Sequence, residues 1–79
     1  MNTYNPNYKI KLSEILQEIL DEMKINKLDF ANQCGISLEI IDKILNDTIR
    51  INKDIALKFE RVLGVNAVVW VNLERGIFK

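Results

Sequence analysis

Gly35, Ile36 and Ser37 are all that separates two short helical stretches, residues 28–34 and 38–46. A connection that short holds its two helices against each other as a helix-turn-helix. Gly35 supplies the left-handed backbone on which a helix can end tightly. Ile36 is an apolar anchor directly behind it. Ser37 is then a good cap for the next helix, with Glu39 and Ile40 following. Asn26 is placed to cap the first member of the pair. The second buries Ile41, Ile44 and Leu45.

The flanking sequence supplies three more helices. Leu12, Ile15, Leu16, Ile19, Leu20 and Met23 recur at the spacing of one helical face. Ser13 serves as cap or first-turn residue, and Glu14 sits near the positive end of the helix dipole. The opposite face, with Glu14, Glu18, Asp21 and Glu22, is acidic. After a polar break at Asn46, Asp47 and Thr48, Asn52 caps a helix over 53–63. This helix buries Ala56, Phe59 and Leu63 and stops at Gly64. Asn66 caps a fifth over 67–74, presenting Val69, Trp70 and Leu73, with Gly76 as its stop. The β-branched residues of 65–71 also permit a strand there. Within residues 1–10, the stretch 1–9 is polar, holds the single proline and lacks periodicity. Residues 1–10 read as a flexible arm ahead of one domain, 11–79.

Composition narrows the chemistry. Seventy-nine residues bury a modest core and enclose no large small-molecule cleft. Eleven basic residues balance eleven acidic ones, so any nucleic-acid footprint must be local. The absence of histidine removes histidine-dependent triads and metal sites. One cysteine, Cys34, forms neither an internal disulfide nor a thiolate zinc site and reads as a core residue. No nucleophile–base pair, metal constellation or phosphate loop is present, so neither an enzyme nor a cofactor is expected. Apolar runs are too short for a membrane span, no signal peptide shows, and the cysteine usage fits a cytoplasmic setting.

The stretch from Asn26 to Val65 resembles the Cro/C1-type (XRE) helix-turn-helix. A longer pattern is similar to the HigA/VapI-type plasmid-maintenance antidotes. It comprises LSEILQEILDEM, FANQCGIS, ILND and INKDIALKFERVLGVNAVVWVNLE, and closes on Val69, Trp70, Val71, Asn72 and Leu73 after a glycine spacer. The resemblance implies an all-α, five-helix lambda-repressor-like domain. It implies an antitoxin that binds operator DNA as a dimer, represses its own operon and holds a small basic ribonuclease toxin. It places Ser37, Leu38, Glu39 and Ile40 toward base edges and Lys27 at the DNA-facing start of the second helix. Lys43, Asn46, Thr48, Arg50, Asn52 and Lys53 fall where backbone contacts are made. An apolar surplus in the last helix marks Val68, Trp70 and Val71 as subunit contacts.

The third helix departs from that pattern. Leu38 and Ile40 offer no donor or acceptor to a base, and Glu39 and Asp42 repel phosphate. Residues 1–47 carry five basic and eight acidic side chains, whereas 48–79 carry six and three. Backbone gripping near Arg50 and Lys53 is therefore expected to outweigh base reading. Leu28, Leu38, Ile40 and Ile49 look surplus to the core and suggest a patch that meets protein. A protein-interaction module with weak or lost DNA binding is thus the alternative.

Overall fold

The computed structural model describes residues 11–75, which form five helices and no strand. The arm expected over 1–10 and the stop expected at Gly76 lie outside the described residues. The helices are α1 (Leu12–Met23), α2 (Lys27–Cys34), α3 (Leu38–Leu45), α4 (Lys53–Leu63) and α5 (Ala67–Arg75).

Local caps set most of these boundaries. Asn26 Oδ1 accepts the Asp29 N–H at 2.8 Å, Ser37 Oγ that of Ile40 at 3.2 Å, and Asn52 Oδ1 that of Ile55 at 2.9 Å. Each satisfies a donor that the first turn leaves unpaired. Helix α1 differs: Lys11 stands at its N-cap without a side-chain bond, and Ser13 is buried in the first turn. Gly35 and Gly64 end α2 and α4 in the left-handed region, at φ 73° and 82°. The possible strand over 65–71 is helix. Asn66 Oδ1 accepts the Val68 N–H at 2.8 Å and Glu60 Oε1 that of Ala67 at 3.3 Å. Burial of Ala67 and Trp70 then outweighs the β-branched composition.

The helices enclose one apolar cluster. Leu12, Leu16 and Leu20 enter from α1, Phe30, Ala31 and Cys34 from α2, and Ile41 and Ile44 from α3. Ala56 and Phe59 enter from α4, and Ala67 and Trp70 from α5. Phe59 stands between two rings, with centroids 5.2 Å from Phe30 and 5.4 Å from Trp70. Leu45 and Leu63 are only partly buried, and Met23, at the end of its helix, is exposed.

Candidate nucleic-acid interface

Helix α3 packs Ile41 and Ile44 inward, which turns Leu38, Glu39, Lys43 and Asn46 outward. Ser37, its exposed cap, opens the helix toward the same side. This exposed face holds Glu39, Lys43 and the half-buried Asp42, a charge of −1. Ile40 is not a free contact. It is partly buried and packs against the core, as does Ile49. The apolar surplus expected on this side reduces to Leu28, 54% exposed at the start of α2, and Leu38, 37% exposed.

The basic residues expected to grip phosphate are exposed, but three of the four hold carboxylates. Lys27 Nζ on α2 lies 2.7 Å from Asp42 Oδ1 on α3. Lys43 Nζ lies 3.5 Å from Glu39 Oε2, one turn earlier on α3. Arg50 Nε lies 3.7 Å from Glu74 Oε2 on α5. Lys53, in the first turn of α4, enters no ion pair among the described residues. Exposed pairs of this kind contribute about 0–1 kcal/mol each to stability.

Thr48 has a structural task. Its hydroxyl donates to the Lys43 carbonyl at 3.0 Å and its N–H to the same oxygen at 2.9 Å, closing the end of α3. Asp47 turns the chain there with φ 65°. Asn46 is exposed at the C-cap of α3, and Asn52 is occupied in capping α4.

Three contacts hold the frame behind this face, and local sequence gives no hint of them. Arg61 Nη2 on α4 donates to the carbonyls of Cys34 at 3.3 Å and Gln33 at 3.4 Å, answering the negative end of α2. Glu60 holds the start of α5. Glu74 Oε1 accepts the Ile51 N–H at 3.3 Å, tying the loop ahead of α4 to α5. Cys34 is fully buried, and burial pushes its thiol up to about 11, against the lesser opposing pull of Arg61 and Lys58.

The α5 contacts also differ from expectation. Trp70 is wholly enclosed within its own chain, one turn after Ala67 on the core-facing side, with its ring edge-on to Phe59. Its side chain is therefore closed to a second subunit. Val68, 63% exposed, Val69, 45% exposed, and the half-buried Val71 carry the apolar surplus instead. Beside them lies an open groove of about 500 Å³ between α5 and the loop at 50–53. Val68 and Val71 line it together with Arg50, Lys53, Glu74 and Arg75.

The helix-turn-helix family profile matches residues 16–70, spanning the bundle from α1 to Trp70. The chain belongs to the helix-turn-helix family. One similar structure comes from Nostoc punctiforme PCC 73102 and is assigned as an antidote protein of a plasmid maintenance system. It shares 32% identity with a TM-score of 0.82, over 87% of this chain and 76% of its own. The Pseudomonas aeruginosa antitoxin HigA, solved with the higBA promoter, shares 27% identity with a TM-score of 0.82 over the same shares of each chain. YddM of Escherichia coli K12, an uncharacterized HTH-type transcriptional regulator, is 28% identical over 61 residues. That match covers 77% of this helix-turn-helix chain and 65% of the length of YddM. No helix among the described residues is long and apolar enough to cross a membrane.

Proposed function

We propose that this helix-turn-helix protein is a cytoplasmic, DNA-binding transcriptional regulator of the antitoxin type. It binds operator DNA as a homodimer, represses its own operon and holds a small basic ribonuclease toxin. It works by binding, without catalysis or cofactor. The observation that carries this reading is the match of its five-helix bundle to the antitoxin HigA, a structure solved with promoter DNA.

The outward side of α3 is the groove-facing element. An α-helix with its side chains is about 10–12 Å across, close to the width of the major groove. Ser37, Leu38 and Glu39 lead into the groove, and Lys27, Lys43, Arg50 and Lys53 approach the phosphates on either side. Leu38 meets thymine methyls at most, so affinity comes mainly from the backbone and depends steeply on salt. A second copy packs on the α5 side of the groove through Val68 and Val71, leaving Arg50 and Lys53 on the opposite wall to face phosphate. A two-fold pair matches palindromic half-sites one turn of DNA apart, about 34–36 Å. The acidic face of α1, with Glu14, Glu18, Asp21 and Glu22 exposed, is the surface for a basic toxin.

A second reading is favoured by the three ion pairs on the basic residues and by the exposed Leu28 and Leu38. In it the same fold binds a protein through that face and no longer binds DNA.

Anisotropy titration of a labelled duplex from the chain's own upstream region separates the two. The regulator reading expects binding near 0.05 M salt that weakens steeply as salt rises, with Arg50→Ala and Lys53→Ala each lowering the salt slope by about one. Glu39→Gln strengthens binding, because it removes a charge that repels phosphate and releases Lys43. Absence of binding at low salt would replace this reading with the second. Tight binding that Glu39→Gln abolishes would make Glu39 a base reader.

A further inference from the structure

We infer that Asp42 limits DNA affinity by acting as an internal counter-ion to Lys27; the inference rests on the DNA-binding reading above. Lys27 is the first residue of α2 and Asp42 lies in the middle of α3, so their 2.7 Å ion pair bridges the two members of the helix-turn-helix. Both side chains remain open to solvent, about half for Lys27 and 40% for Asp42, on the side that α3 turns outward.

Phosphate competes with Asp42 for the same ammonium group. Separating an exposed pair is cheap. The larger cost is the carboxylate left behind, facing the polyanion without its partner. DNA affinity grows with the number of phosphates a protein neutralises, because each neutralised phosphate releases condensed counter-ions. A lysine already neutralised from within adds little to that number. The same logic holds at Lys43, whose partner Glu39 sits on its own helix. Asp42 differs in reaching across to another helix, so it holds Lys27 at one place while taking away its charge. Lys53, with no such partner among the described residues, and Arg50, 81% exposed and only loosely paired at 3.7 Å, are left to carry the phosphate grip.

The test is a double-mutant cycle on the full chain, using wild type, Asp42→Asn, Lys27→Gln and the double variant. Each is titrated by anisotropy against the upstream duplex and an unrelated duplex over a salt series, and circular dichroism establishes that each is folded. Asp42→Asn should tighten binding to both duplexes by about tenfold per subunit and steepen the salt slope by about one, as expected for one regained phosphate contact. Lys27→Gln should change wild-type affinity little, yet remove most of the gain in the Asp42→Asn background.

If wild type binds and Asp42→Asn binds equally or more weakly, the inference is overturned and the DNA-binding reading stands. A gain from Asp42→Asn that survives loss of Lys27 also overturns it. If Asp42→Asn binds at low salt where wild type does not, the inference stands and DNA binding by the natural chain falls. If neither binds, both fall.

Discussion

Trp70 stands edge-on to Phe59, with ring centroids 5.4 Å apart and an interplanar angle of 80°. Phe59 also meets Phe30 at 5.2 Å, so one ring on α4 joins α2 to α5. Edge-to-face pairs add about 0.5–1.5 kcal/mol beyond the area they bury. Phe59→Ala removes both pairs and leaves a cavity among fully buried neighbours, and should cost about 3–5 kcal/mol. That is a large part of the stability of a domain this size. Thermal and urea melts of Phe59→Ala should show a mostly unfolded or steeply destabilised chain. An unchanged melting temperature would contradict the packing.

Arg61 secures the end of α2 from a neighbouring helix. Arg61→Ala should cost about 1 kcal/mol, because it deprives the Gln33 and Cys34 carbonyls of a charged donor at a partly exposed site. In a small domain this lowers the melting temperature by about 4–8 °C. Arg61→Lys keeps the charge and should recover part of the loss. Equal melting of all three proteins would show that the contact is idle.

Cys34 makes stability fall at alkaline pH. Its thiol ionises near 9.0 once the chain unfolds, but is pushed up to about 11 in the fold, chiefly by burial. Below pH 9 the thiol is protonated in both states and contributes no pH dependence. Between about 9 and 11 the unfolded chain releases a proton that the fold retains, so stability declines by up to about 1.4 kcal/mol per pH unit. Urea melts across this range should show a steeper decline for wild type than for Cys34→Ala. Native Cys34 should also react slowly with iodoacetamide at pH 8, because little of it is thiolate.

Val68 is the exposed apolar side chain best placed for a second subunit. Val68→Asp puts a charge into the apolar groove wall and should convert a dimer to a monomer without lowering the monomer's melting temperature. Sedimentation over a concentration series reads this directly. Wild type that is monomeric throughout would remove the two-fold arrangement from the proposed function.

Much of the fold was legible because its signals are local. Asn26, Ser37 and Asn52 each bond an N–H three residues on, and Gly35 and Gly64 take positive φ where the helical patterns stop. Periodicity placed Leu16, Ile44 and Phe59 in the core. Reading the apolar surplus of the last helix as interface failed at Trp70, which faces inward once α5 packs on α4. Periodicity also left out Ile40 and Ile49, which pack partly against the core. The charge on α3 was visible as composition, whereas the partners were not. Lys27–Asp42 and Arg50–Glu74 join residues that only the tertiary fold makes neighbours.

Trp70 is the single tryptophan of the chain, and its indole is wholly enclosed against Phe59. The protein therefore carries an intrinsic optical probe at the seam between α5 and α4. In apolar surroundings an indole emits at shorter wavelength than in water and is shielded from dissolved quenchers. Any event that lifts α5 from the bundle must move that emission to the red and open it to iodide. Events confined to the outward side of α3 leave it unchanged. The colour of one residue thus distinguishes a ligand that merely docks from one that pries the domain apart.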